Sequence, residues 1–190
     1  MSAIADRNTD FVASLREVGT RVAAAHADEV DREARFPHEA VAAMREARAL
    51  SAYVPEHIGG GGVSLDAIAK GCFELARGCA STAMVFAMHQ IQVITIARHL
   101  EGSPWFTPYL TELAADQRLI ASATSEIGTG GDLARSIAAL APTDGDMLAF
   151  EKQAPTISYG AYADDLLTTV RRAPDAESGD QLLVLSRPEQ

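Results

Sequence analysis

Apolar residues recur at helical spacing up to about Ala115 and then switch to the shorter alternation of strands. Phe11, Leu15, Val18 and Val22 make one helical face after Asp10. Pro37 suits a first helical position, with Val41, Met44 and Ala47 following on one side. The run from Val54 to Gly62 carries four consecutive glycines and predicts a loop, because glycine gives up the most backbone freedom on ordering. Ser64 can cap the next helix, with Leu65, Ile68, Cys72 and Leu75 as its apolar stripe and Gly78 as its end. Ser81 or Thr82 then starts a long apolar helix reaching about Leu100. Ser103-Pro104 opens a shorter one. An apolar helix flanked by amphipathic ones is the pattern of a central helix in a bundle.

Beyond Arg118 the pattern becomes that of strands. Leu119 to Thr124, Met147 to Phe150, Leu166 to Val170 and Leu182 to Leu185 are the candidates, with turns at Thr143-Asp144-Gly145-Asp146 and from Pro174 to Asp180. Helices first and strands second predict an α+β chain of two segregated parts, residues 1–116 and 117–190.

Charge narrows the partners. Asp and Glu number 26 against 16 Lys and Arg, a net charge of −10 with no basic stripe, so a nucleic-acid ligand is not expected. No charged residue lies between Arg77 and Arg98. Ser81, Thr82, His89, Gln90, Gln92 and Thr95 within that stretch favour a buried helix over a membrane span. Cys72 and Cys79 fall seven apart in helical sequence, roughly 10 Å along a helix axis, which is beyond disulfide reach and predicts two small core residues. The first residues lack the apolar run of a secretion signal, so a cytoplasmic setting is expected.

Three stretches carry a family resemblance. They are Phe36-Pro37 through Val54-Pro55-Glu56-His57-Ile58-Gly59-Gly60; Ala123-Thr124-Ser125-Glu126-Ile127-Gly128-Thr129-Gly130-Gly131-Asp132; and Lys152 through Thr156-Ile157-Ser158-Tyr159-Gly160 to Ala163-Asp164. Their order and spacing resemble the acyl-CoA dehydrogenase family over nearly the whole chain. The resemblance implies an N-terminal all-α helical bundle followed by a partial antiparallel β-barrel or sandwich. It also implies FAD as cofactor, an acyl-CoA as substrate, and assembly as a homo- or hetero-oligomer.

By the same resemblance, Ser122, Thr124, Ser125, Gly130 and Gly131 hold the ring and the pyrophosphate side of the flavin. Thr156, Ile157 and Ser158 form a second contact stretch on a strand, with Ser158 near flavin N5, and Gly131 also faces the substrate. The chemistry is coherent: small hydroxyls and backbone N–H groups suit the polar edge of a flat ring that gains negative charge on reduction. Taken without the resemblance, residues 128–132 read as an ordinary turn, Ser125 and Ser158 as surface strand residues, and His89 as a core histidine. The family often has a polar residue near His89 facing the acyl pocket.

Two departures stand out. Gly131 occupies the place of the family's signature serine, and Ile127 that of a common proline. The family's chains also run well beyond this length into a helical bundle that supplies the catalytic glutamate, so no catalytic residue is expected here and a strand edge is expected to lack its neighbour. A flavin-dependent monooxygenase of the same fold and a non-catalytic binding module are the other readings these residues allow.

Overall fold

A computed structural model describes residues 3–145 and 147–187. The chain divides into a helical unit, Met1–Leu119, and a β unit, Ile120–Gln190. The division falls past the expected residue 116 because Gln117, Arg118 and Leu119 are tied into the helices; Leu119 is fully buried.

The helical unit opens with one long helical run. It comprises α1 (Ala3–Glu17), a π-helical segment (Val18–Ala23) and α2 (Ala24–Arg32). A π turn inserts an extra residue, so the buried face steps from Val18 to Ala23 and leaves the expected Val22 only half-buried. The carbonyl of Gly19, inside this segment, lies against Gly78. An added Cβ on Gly78 would sit 2.0 Å from Gly19 O, and one on Gly19 would sit 2.5 Å from Glu74 O. Two glycines thus allow two backbones to pass at a distance that no side chain permits.

α3 (His38–Glu46) follows Pro37 and buries Ala40, Val41 and Met44. It ends at Glu46, so Ala47 lies exposed beyond it instead of extending the face. α4 (Leu65–Ala76) is capped as the sequence predicts: Ser64 Oγ accepts from Ala67 N at 3.2 Å. Its buried stripe is Ala67, Ile68, Gly71 and Leu75, while Leu65 is exposed because it precedes the first turn that faces the bundle. Cys72 is half-buried on α4, and burial pushes its thiol pKa up. Cys79 lies beyond the end of α4, packed with Ala23, Val30 and Ala40, so the two cysteines do not share a helix face and both are free thiols.

α5 (Ala80–Ala97) starts one residue before Ser81 and stops short of Leu100, which begins a separate 3-10 turn, Leu100–Gly102. By length and composition it could cross a membrane, yet half of that window is buried within the helical unit. α6 (Phe106–Asp116) begins after Trp105 and so opens two residues beyond Pro104.

The polar residues of α5 have a structural use. His89 Nε2 donates to Leu50 O at 2.8 Å, which selects the Nε2–H tautomer, and Gln90 Nε2 donates to Ala49 O and Leu50 O at 3.0 and 3.1 Å. Gln117, in the left-handed region at φ 52°, accepts from Leu50 N at 3.2 Å and donates to Ser51 Oγ and Ala114 O at 2.8 Å each. Together they satisfy the buried 3-10 turn Ala49–Ser51, whose backbone has no helix or sheet to do so. Gln117→Ala is expected to destabilise the helical unit by about 2 kcal/mol, because it leaves the buried Leu50 N–H without its acceptor. Urea unfolding followed by the fluorescence of the single tryptophan, Trp105, measures this.

The β unit holds a three-stranded sheet in the order β1–β4–β5. Its strands are β1 (Ile120–Ala123), β4 (Asp165–Arg171) and β5 (Gln181–Ser186). A separate short pair joins β2 (Ala141–Pro142) to β3 (Leu148–Ala149). β4 and β5 are antiparallel, with Leu167 opposite Leu185. β1 and β4 are parallel, with Ile120 opposite Asp165, so the sheet is mixed where an antiparallel one was expected. The long connection 124–164 explains the difference, because a parallel pair needs a crossover and a hairpin cannot supply one.

One apolar cluster of the β unit is Ala138, Leu140 and Val170, with Phe150, Leu182 and Val184 packed against it, and Ile120, Ala121, Ala123 and Leu167 are buried as well. The expected strand over Met147 to Phe150 shrinks to two exposed residues. Thr143 N and Oγ1 both donate to Met147 O at 3.0 Å, closing the expected turn, whose Asp146 lies outside the described residues. The residues after Arg187 lie outside them too.

Candidate flavin site in the β unit

β1 ends at Ala123 and delivers the second resembling stretch as a loop. Ser122 Oγ and Thr124 Oγ1 share a hydrogen bond at 2.7 Å, alternate residues pointing the same way off the strand end. The loop then folds on itself. Thr129 N and Oγ1 donate to Glu126 O at 3.4 and 3.0 Å, and Asp132 N donates to Thr129 O at 3.2 Å. Gly130 and Gly131 adopt φ of 63° and 86°, and a Cβ at either would meet nothing within 4 Å. Their backbone therefore faces open space that a ligand group can approach.

The third stretch is not the expected strand. Residues 152–159 are irregular, since Pro155 removes a backbone donor and Tyr159 takes a left-handed φ of 46°. Thr156 is exposed, and Ile157 and Ser158 are half-buried. Tyr159 OH donates to Ile120 O at 3.0 Å, and burial pushes the phenol pKa up, so this hydroxyl stays a donor at neutral pH.

Two of the predicted stretches meet. Ser125 Oγ donates to Thr156 O at 2.8 Å, and Ile127 N donates to Gln153 O at 2.9 Å. Ser158 is half-buried in the turn at 158–159.

The residue that the sequence reading quoted but gave no role is Glu126. Its side chain and that of Lys152 are each 4% exposed and pair at 3.1 Å. Glu126 Oε2 also accepts from Ser136 Oγ at 2.9 Å and Ile137 N at 3.0 Å, and Oε1 accepts from Ala138 N at 2.6 Å. Lys152 Nζ donates further to Thr169 O at 2.8 Å and Thr169 Oγ1 at 3.3 Å, on β4. Burial is the largest single influence on Glu126 and opposes ionisation. The N–H groups of Ile137 and Ala138, then Lys152 and Ser136, together outweigh it and hold the carboxyl below its usual range. One signal was available: Lys152 is one of only two lysines in the sequence, and it stands beside a stretch rich in small and apolar residues.

A cavity of about 410 Å³ opens beside this pair, lined by Glu126, Ile127, Ile137, Ala138, Glu151 and Gln153. Glu126 there is neutralised by Lys152, which leaves Glu151 as the cavity's unbalanced charge among the residues named, a poor seat for a phosphate. Among the described residues no group of three or more His, Cys, Asp or Glu is placed to hold a metal ion.

The family profile described as "Acyl-CoA dehydrogenase, N-terminal domain" matches residues 5–103. A protein of Mycobacterium leprae named as a probable acyl-CoA dehydrogenase is 33% identical over 142 residues, covering 74% of this chain and 36% of that protein. The chain therefore spans little more than a third of that relative's length. Among solved structures, butyryl-CoA dehydrogenase from Megasphaera elsdenii superposes with a TM-score of 0.81 at 18% identity, over 96% of this chain and 48% of that one. The FMN-bound form of TdsC, a dibenzothiophene monooxygenase from a Paenibacillus species, gives 0.76 at 18% identity, over 98% and 44%. These two structures share the fold.

Proposed function

Since the chain belongs to the acyl-CoA dehydrogenase family, we propose that it is the flavin-facing portion of an oxidoreductase that takes FAD and acts on an acyl-CoA between Cα and Cβ. The observation that carries this reading is the 2.8 Å bond from Ser125 to Thr156, which brings together the two stretches that the family resemblance assigns to the flavin. The open, left-handed glycines Gly130 and Gly131 support it, because their backbone is free to approach a phosphate.

Bound FAD would supply the two-electron acceptor that the oxidation of an acyl thioester requires. In this reading Ser122, Thr124 and Ser125 present hydroxyls to the polar edge of the ring, while Thr156, Ile157 and Ser158 line its other contact. Gly131 faces the substrate side through its backbone alone, since it has no hydroxyl to offer there. Glu126 is occupied by four donors, so it is not free to take a proton from a substrate. The oligomeric assembly and the cytoplasmic setting belong to the same proposal.

Titration of the full chain with FAD and with FMN, followed by flavin absorbance and fluorescence, tests the reading. Saturable uptake with a preference for FAD is expected. Gly130→Val is expected to weaken uptake about tenfold with an unchanged far-UV circular dichroism spectrum, because a branched side chain strains φ 63° and shields the backbone that would approach the flavin. No saturable flavin uptake by the wild-type chain would overturn the proposal, and a preference for FMN would shift it towards the monooxygenase reading.

A further inference from the structure

We infer that Glu126 and Lys152 are a positioning pair that holds the two flavin-facing stretches in register, an inference that rests on the flavin reading above. Ser125, Glu126 and Ile127 are consecutive, and each is joined to the segment 152–156: Ser125 to Thr156 O, Glu126 to Lys152 Nζ, Ile127 to Gln153 O. The middle link is the buried charged one, and it reaches on to Thr169 of β4 and to the backbone of Ile137 and Ala138.

Neither stretch has a strand or helix to hold it. An apolar cluster of Ala138, Leu140 and Val170 lies nearby, but apolar packing is non-directional and does not by itself set the register of two irregular segments. A buried ion pair contributes little stability over an apolar pair of equal volume, because its attraction is spent on desolvation. What it adds is direction. Each Glu126 oxygen and each Lys152 proton has one place where its partners converge, so the backbone on either side is pinned relative to the other. The hydroxyl of Ser125 and the carbonyl of Thr156 sit one and four residues from the two charges, and inherit that placement. The pair is neutral as a whole, so it sets geometry and leaves the net charge near the ring unchanged.

The test compares wild type, Glu126→Gln and the apolar double variant Glu126→Leu with Lys152→Met. Three quantities are read: FAD dissociation constant, visible band shape of bound flavin, and amide exchange without flavin. All are measured at a temperature where far-UV circular dichroism shows each variant folded. Glu126→Gln is expected to weaken FAD binding about tenfold, to alter the resolved structure of the visible band, and to speed exchange in residues 125–131 and 153–158 together. The double variant is expected to recover thermal stability without recovering affinity or band shape, a split that a merely structural pair would not give. A Glu126→Gln chain with affinity within twofold of wild type, or a double variant that regains both stability and affinity, overturns the positioning pair. Wild type that takes up no FAD instead sinks the functional reading on which it rests.

Discussion

Replacing Lys152 by Met is expected to destabilise the β unit by about 3–5 kcal/mol, because it strands the Glu126 carboxylate in a site where its side chain is 4% exposed. Two N–H groups and a hydroxyl would remain as partners, but no cation would. Thr169 O would also lose its 2.8 Å bond from Lys152, keeping the 3.4 Å one from Ser136 Oγ. Amide exchange on β4 and β5 is expected to quicken. Equal protection of those strands in wild type and Lys152→Met would show that the pair contributes nothing to the fold.

The same pair makes a pH prediction whose sign is determinate. The folded Glu126 carboxyl titrates below its usual range and the unfolded one within it. Between those two values the unfolded chain takes up a proton that the folded chain refuses, which favours unfolding. The stabilisation is therefore complete above the usual carboxylate range and is lost as pH falls through the lowered folded value. Acid unfolding of the β unit is expected to show this slope in wild type and to lack it in Glu126→Gln.

Gly78→Ala is expected to destabilise the helical unit by about 3 kcal/mol, the upper part of the usual range for overpacking. The new Cβ would lie 2.0 Å from Gly19 O, 2.7 Å from Gly19 C and 3.2 Å from Ala24 N. All three are backbone atoms of the first helical run, so no side chain can rotate away, and that run would have to lift off the end of α4. Gly102→Ala is the control: its Cβ meets nothing within 4 Å, and a change under about 0.5 kcal/mol is expected. Thermal unfolding at 222 nm compares the two. Similar melting temperatures for both variants would mean that the crossing relaxes at little cost.

Much of this protein was written locally. The Ser64 cap, the end of a helix near Gly78, the buried character of α5 and the positions of β1, β4 and β5 all follow from residues within a turn or two of one another, where periodicity and capping chemistry act. The small hydroxyls and glycines of residues 122–131 were likewise visible as candidates, because their chemistry is carried by residue type.

What the sequence could not determine depends on groups that meet only after folding. The π turn that moves burial from Val22 to Ala23 coincides with the Gly19–Gly78 crossing, a contact between residues far apart in the sequence. The exposure of Leu65 and Ala47 depends on where a neighbouring helix lies, which an apolar side chain does not itself specify. β1 runs parallel to β4 because the chain between them crosses over, and alternation reads the same in either direction. Glu126 and Lys152 are 26 residues apart, and no local pattern pairs them. Only closure of the β unit removes them from water, and a buried charge must then find its partner, which is why tertiary structure alone assigns them their place.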